Sequence, residues 1–251
     1  MARRYKRKSY KKKSYKRKSY KRRRTVAPKV IRAVRRMFET KKNQDTTFSY
    51  VYNDITDTAC HRLLPLISQG TGQSNRIGNR IAPVRLTVKI ALSAANLNAV
   101  YTNASPTYFD IYIFKQRYAN EYAGSPLPSD IAQFLQIDNG SGPYTGLITD
   151  GLRNVNQDIF TLKYRRRVLL SNVNQATGQN AFMASVNPNR TISINLTKAV
   201  KKMWSFDDAD TLVTNDNLWI AVGATQTDGT DLGSSFAGQY SFVTDLWYKD
   251  A

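Results

Sequence analysis

The sequence predicts an all-β protein: a single antiparallel jelly-roll β-sandwich of about eight strands, preceded by a disordered basic arm and a short helix. Three observations predict it. After residue 45 the residue pattern takes a period of two, the signature of strands that expose alternate faces. Connections rich in Gly, Asn, Pro and Ser separate these runs, with no strand–helix alternation, which speaks against a doubly wound sheet. The charge is also segregated. Residues 1–36 hold 19 of the 38 Lys and Arg and none of the 18 Asp and Glu, whereas the rest of the chain carries 19 basic against 18 acidic groups. The net charge of +20 therefore belongs to an arm.

The stretch "YKRKSYKKKSYKRKSYKRRR", residues 5–24, writes one pentapeptide four times. In a helix a five-residue period advances by about 500°, which leaves successive tyrosines about 140° apart. In a strand they alternate between faces. Neither geometry gathers an apolar face, so burial cannot offset the ordering entropy and the segment is expected to be disordered on its own. A block of like charge marks a tail for a polyanion. Membrane surfaces demand an acyl chain or an inserted apolar face in addition. The start "MARRYK" lacks the Gly that myristoylation needs and no C-terminal Cys serves prenylation, so no membrane insertion is expected.

Nucleic acid fits better. Arg3, Arg4, Lys6, Arg7, Lys8, Lys11, Lys12, Lys13, Lys16, Arg17, Lys18, Lys21, Arg22, Arg23 and Arg24 are placed to neutralise phosphates. Tyr5, Tyr10, Tyr15 and Tyr20 offer rings on which unpaired bases stack, a pattern that suits single strands without sequence preference. The competing reading makes the tyrosines spacers left by repeat expansion. Ser9, Ser14 and Ser19 sit between basic triplets, where phosphorylation would weaken the grip.

The run "APKVIRAVRRMFETKK" follows. Pro28 suits a first helical turn, and Val30, Ile31, Val34, Met37 and Phe38 share one stripe, with Arg32, Arg35 and Arg36 off it and counted with the phosphate-binding set. A short amphipathic helix is expected over 28–40, and the domain boundary at residue 42. Residues 43–251 then suffice for one well-filled sandwich.

Its strands are expected in order. Phe48, Tyr50 and Tyr52 alternate with Thr47, Ser49 and Val51. "VRLTVKIAL" puts Val84, Leu86, Val88, Ile90 and Leu92 on one face; "YFDIYIFKQR" is strongly β-prone. In "DIFTLKYRRRVLL", Phe160, Leu162 and Tyr164 oppose Thr161, Lys163 and Arg165. "TISINLT", "LWIAVGAT" and "QYSFVTDLWYK" complete the strong set, with "YTGLIT" a weaker eighth. The one helix expected inside the domain is "SDIAQFLQI", capped by Ser129 or Asp130.

No catalytic, metal or cofactor site emerges, and the protein is not expected to be an enzyme. Cys60 and His61 are the sole cysteine and histidine, and neighbours in sequence point apart. One cysteine excludes an intrachain disulfide and suggests a reducing compartment; one histidine excludes a relaxase-type nuclease. "GTGQSNRIGNRI" has Asn75 where a dinucleotide fingerprint needs Gly, and it reads as a flexible surface loop. Asp207, Asp208 and Asp210 lack EF-hand spacing and read as a solvated loop. Arg165, Arg166 and Arg167 form the domain's one dense basic patch, open to nucleic acid, to a neighbouring subunit's carboxylate or to solvent.

The basic arm, the loop "QGTGQSNRIGNRIAPVRLTV" at 69–88 and the aromatic "SFVTDLWYKD" at the C-terminus together resemble the capsid proteins of small circular single-stranded DNA viruses, the circovirus-like group. The resemblance implies a single jelly roll that self-assembles into a small icosahedral shell, with the arm turned inward on the packaged DNA. It also implies a virion protein that visits the host nucleus, with a nuclear import receptor engaging the arm and a host-cell receptor engaging the shell. The tidy Tyr-containing pentads depart from that group's irregular Arg-rich run. Competing classes are a non-viral nucleic-acid-binding protein with a β-sandwich domain and a jelly-roll lectin for acidic glycans.

The tyrosines separate stacking from spacing. Base–aromatic stacking is worth roughly 1–3 kcal/mol per base. Changing Tyr5, Tyr10, Tyr15 and Tyr20 together to Ala is therefore expected to weaken single-strand binding far more than duplex binding at unchanged charge. Fluorescence anisotropy with matched oligonucleotides checks it, and equal loss on both reduces the tyrosines to spacers.

Overall fold

The computed structural model describes residues 40–94, 106–118, 130–138, 140–170, 189–208, 210–227, 229 and 237–251. The arm with its Tyr, Lys and Arg residues, and the expected helix up to residue 39, lie outside them. The described residues hold eleven strands: β1 (Lys41–Val51), β2 (His61–Arg62), β3 (Arg80–Ala94), β4 (Thr107–Gln116), β5 (Leu135–Ile137), β6 (Gly140–Gly142), β7 (Phe160–Leu170), β8 (Asn189–Asn195), β9 (Trp204–Ser205), β10 (Trp219–Gln226) and β11 (Gly238–Asp250). Lys41 and Lys42, counted with the arm from sequence, belong to the first strand.

One sheet runs β1-β11-β3-β8, with β9 on the end of β3; the other runs β2-β10-β4-β7. β5 and β6 form a separate two-stranded ribbon. Setting aside the three short accessory strands β5, β6 and β9, eight remain. The first pairs with the last, the second with the seventh, the third with the sixth and the fourth with the fifth, all antiparallel. A chain doubled back on itself and rolled in this way is a jelly roll, with two Greek keys and two sheets. The expected antiparallel jelly-roll sandwich stands, while the preceding helix falls outside the described residues.

Between the sheets lie Leu86, Val88, Ile90 and Leu92 of β3, Phe109, Ile111 and Ile113 of β4, and Tyr240, Phe242 and Leu246 of β11, all at most 1% exposed. Val84, expected beside them, is 47% exposed. The reason is a bulge: Trp247 pairs with Arg85 and Tyr248 with Pro83, so Val84 is skipped and turned outward. A second bulge skips Lys163 in β7 and leaves Leu162 exposed. In β1 the alternation holds, but the register sets Thr47 opposite Phe242 and Ser49 opposite Tyr240. The aromatic set Phe48 and Tyr50 therefore faces outward, since a single register choice fixes every side chain of a strand.

The two sheets differ on their outer faces. Every residue of β10 is buried: alternate residues face the core, and residues 131–138 and 140–160 wrap the outside of its sheet. Phe134 lies 5.1 Å from both Tyr112 and Phe114, and Phe114 lies 5.2 Å from Phe160. This wrap replaces two expectations. From Asp130 to Ile137, "SDIAQFLQI" holds only a 3₁₀ turn (Ile131–Gln133) and the short β5; Asp130 has φ 63°, a left-handed conformation instead of the extended one that an N-cap takes, and Ser129 lies outside the described residues. "YTGLIT" is a turn, with Gly146 at φ 84° and Asp150 accepting hydrogen bonds that a strand would have sent to a neighbour.

The loop at 68–80 lies on the surface, as expected, and is latched by hydrogen bonds. Arg76 is fully buried, with its guanidinium 4.6 Å from the Phe206 ring centre. Nη1 donates to Gly78 O at 2.6 Å and Asn79 Oδ1 at 3.0 Å; Nη2 donates to the carbonyls of Asp207 at 3.1 Å and Asp210 at 2.7 Å. Four bonds from a charged donor at about 1.5–3 kcal/mol each offset a desolvation penalty of several kcal/mol. Asp207 and Asp208 are exposed, as expected of a solvated loop, while the backbone oxygens of Asp207 and Asp210 hold the guanidinium. The loop is also tied to both ends of the domain: Lys41 Nζ donates to Asn75 O at 2.7 Å and Tyr248 Oη to Ser74 O at 2.8 Å.

Replacing Arg76 by Met strands four acceptors and is expected to cost about 3 kcal/mol or more, a fall in Tm of roughly 6–12 °C for a domain of this size. The exposed Arg80 is the control, and Arg80→Met should change stability by less than about 0.5 kcal/mol. Thermal denaturation followed by circular dichroism measures both.

Candidate functional site

A charged residue in the middle of an apolar strand must be paired. Asp110 sits within "YFDIYIFKQR" and is fully buried on β4. The β4–β7 register puts Arg167 directly opposite it. Arg167 Nε donates to Asp110 Oδ1 at 2.8 Å and Nη2 to Oδ2 at 2.7 Å, a two-pronged charge-assisted pair. The hydrogen bonds to Asp110 push the guanidinium further up in pKa, against the opposing effect of burial. Tyr144 Oη donates to Asp110 Oδ2 at 2.9 Å and lies 2.9 Å from Thr225 Oγ1, so the carboxylate accepts three hydrogen bonds from two side chains. Burial raises the Tyr144 phenol well above its ordinary range, with the Asp110 charge adding to it. Its ring rests on Gly223, where an added Cβ would come within 2.4 Å of Cε1.

Arg165 completes the brace. It donates from Nη1 to Arg153 O at 2.8 Å and from Nη2 to Gly151 O, and its guanidinium lies 5.2 Å from the Tyr112 ring centre. Gly151 packs so closely on Arg167 that a Cβ there would fall 1.1 Å from Nη2. Within the loop, the fully buried Asp150 accepts from Thr145 N at 2.8 Å, Leu147 N at 3.2 Å and Arg153 Nη1 at 2.8 Å. Of the basic patch, Arg165 and Arg167 therefore meet groups of their own chain, and only Arg166 points to solvent.

What this brace presents is apolar. Leu147, Ile148 and Leu152 stand on the loop at 53%, 43% and 77% exposure. A loop fixed by a buried ion pair loses little entropy when something packs on it, so it is a preorganised contact knob. Sequence reasoning missed this pair; the signal that could have found it was the charge of Asp110 inside an apolar strand run. No such signal marks the knob, because "GLIT" has strand-like composition.

Cys60 and His61 do not meet as a dyad. The Cys60 thiol is buried 3.4 Å from Thr56 O, and burial pushes it well above the range in which a thiolate forms. His61 packs 6.0 Å from the Tyr240 ring centre and 6.4 Å from that of Phe242, and burial lowers its pKa. Both residues serve packing at the start of β2. Among the described residues no group of three or more His, Cys, Asp or Glu is arranged to hold a metal.

The class that geometry defines is a jelly-roll protein whose described residues form eight principal strands, with one wrapped and one open sheet among them. No family model matches the chain, and no curated protein does. Among solved structures, one of turnip yellow mosaic virus overlaps it at a TM-score of 0.33 and 10% identity, over 85% of this chain and 82% of that one. The VP1 protein of Merkel cell polyomavirus in complex with GD1a oligosaccharide overlaps at a TM-score of 0.24 and 8% identity, over 83% of this chain and 95% of that one. The fold assignment rests on the strand order within this chain.

Arg167→Met leaves Asp110 as an uncompensated buried charge and is expected to cost about 3–5 kcal/mol. Adding Asp110→Asn removes that charge and should recover part of the loss. A urea denaturation cycle over the four proteins measures the coupling, and additive losses would mean that the pair does not brace the loop.

Proposed function

We propose that the chain is a viral capsid protein that self-assembles into a small icosahedral shell and packages single-stranded nucleic acid, DNA first, through its basic arm. The observation that carries the reading is the division of charge: +19 on residues 1–36 against 19 basic and 18 acidic groups elsewhere. Like-charged arms crowded into one cavity repel and require a polyanion between them. A shell of about 60 copies brings roughly 1,100 positive charges, enough to offset a similar number of phosphates. The near-neutral jelly roll meets little repulsion from its copies, and the knob of Leu147, Ile148 and Leu152 supplies an apolar contact of the kind that shell interfaces need. The proposed domains are residues 1–40 as the arm and the sheet-bearing remainder as the shell. The virion is the proposed location, with the arm as the address for nuclear import and the shell surface as the site for a host-cell receptor.

A chain beginning at Glu39 keeps Lys41, whose ammonium lies 2.8 Å from Asp250, and so keeps the first strand intact. It is expected to lose nucleic acid and still form empty, uniform particles, while Leu147→Asp with Leu152→Asp in the full chain should yield folded protein without particles. Negative-stain microscopy and light scattering decide it. Full and shortened chains that both stay monomeric at high concentration, with β-type circular dichroism intact, would sink the shell and favour a non-viral nucleic-acid-binding protein.

A further inference from the structure

Among the described residues one sheet is wrapped and the other is bare, and the bare face has a composition of its own. On the outer side of β1-β11-β3-β8 the register aligns Lys42 with Trp247 and Arg85 in one row, and Thr46 with Val243, Lys89 and Ser193 in another. Phe48 with Ser241, Ala91 and Thr191, and Tyr50 with Gln239, Ser93 and Asn189, form two further rows. Phe48, Tyr50 and Trp247 are 52%, 47% and 39% exposed. Phe48 and Tyr50 meet edge to face at 5.2 Å, and Lys42 Nζ stands 5.7 Å from the Trp247 ring centre. Lys42, Arg85, Lys89 and Lys249 stand on this face against one carboxylate, Asp245, which Lys42 and Lys89 approach at 3.2 and 3.6 Å. Most of the remaining positions are polar, among them Thr46, Ser241, Thr191, Ser193 and Gln239, with Val243 and Ala91 between them.

We infer that this outer face is a second single-strand platform, on which bases stack on Phe48, Tyr50 and Trp247 while Lys42, Arg85 and Lys89 hold the phosphates. The inference rests on the proposed packaging of single-stranded nucleic acid and adds to it a site within the shell domain. Exposed aromatics interleaved with cations on a flat sheet supply both halves of sequence-independent single-strand binding, a π-face for any base and charge for the backbone. Nine positions of β1, from Lys42 to Tyr50, span about 26 Å, room for about four to six nucleotides. Connectivity adds to the charge argument. Arg36 is six residues from Lys42, at most about 20 Å along the chain, so a strand gripped by the arm lies within reach of the face. Duplex DNA keeps its bases stacked on one another and offers none to these rings.

The test uses the full chain and an oligo(dT) of about 20 nucleotides, cross-linked by ultraviolet light and mapped by mass spectrometry. Adducts are expected on the peptides carrying Phe48, Tyr50 and Trp247 as well as on the arm tyrosines. With a duplex of the same length the sheet adducts should vanish. In parallel, Phe48→Thr with Tyr50→Thr keeps β-propensity, removes two rings and should weaken oligo(dT) binding about tenfold at moderate salt. Lys42→Gln, Arg85→Gln and Lys89→Gln together should lower the salt slope by about 2. Adducts confined to the arm, with affinity unchanged in these variants, would overturn the platform while leaving arm-driven packaging standing. Absence of any binding by the full chain would overturn both. An amine cross-link from Lys29 to Lys89 in place of the sheet adducts would assign the face to the arm's own apolar segment.

Discussion

The pairing of the first strand with the last is the constraint on which the rest of the structure depends. β11 lies between β1 and β3, matched to β1 over eleven residues and to β3 over thirteen. Through it the start and end of the domain close on one another: Lys41 reaches Asp250 at 2.8 Å, and Ala251 N donates to Arg80 O at 3.2 Å. The latched loop hangs from this seam, since Ile77 N donates to Asp250 Oδ1 at 3.2 Å and Tyr248 Oη to Ser74 O. The Tyr248 phenol, pushed up to about 12 by burial and by the nearby Asp250 charge, stays a proton donor throughout the physiological range. Contacts this distant in sequence carry a loop-closure cost before they return any stability, so the domain is secure only when both ends are in place.

The second sheet solves a different problem. Its outer face carries Asp110, Tyr112 and Phe114 on β4 and Trp219 and Ala221 on β10, too apolar to leave in water and with one charge too costly to bury alone. Residues 131–160 cover the apolar part, and Arg167 answers the charge. The two needs are met by the same loop: Tyr144 covers Gly223 with its ring and donates to Asp110 with its hydroxyl. A buried ion pair contributes little net stability, because desolvation cancels most of the attraction. Here its consequence is geometric, for the bonds from Arg165, and the packing of Gly151 on Arg167, fix where Leu147 and Leu152 emerge. The outer face of the first sheet, uncovered among the described residues, sets Phe48, Tyr50 and Trp247 among cations that stay in water.

In the proposed reading, packaging and assembly fall to separate parts of one chain. Residues 1–36 hold the excess charge. The wrapped sheet offers the apolar Leu147, Ile148 and Leu152, while the outer face of the other sheet offers rings and cations. Such a division would let shell contacts form away from the most strongly charged segment.

The sequence by itself determined what depends on local pattern. The period of two in "VRLTVKIAL" and "QYSFVTDLWYK" fixed strands, because alternation follows from the pleat alone, and the segregated charge of residues 1–36 is a property of composition. It did not determine which face of β1 points inward, since Thr47 and Ser49 are turned to the core by their partners Phe242 and Tyr240, nearly 200 residues away. Nor did it determine the fate of Arg76, Arg165 and Arg167. Arginines in a loop or a strand read as solvent-facing, and only tertiary structure brings the carbonyls of Asp207 and Asp210 or the carboxylate of Asp110 to meet them. Val84 turned outward for the same reason, at a bulge that exists only between two paired strands. Periodicity is written one residue at a time. Burial of charge and choice of register are properties of pairs, and the tertiary fold decides which pairs form.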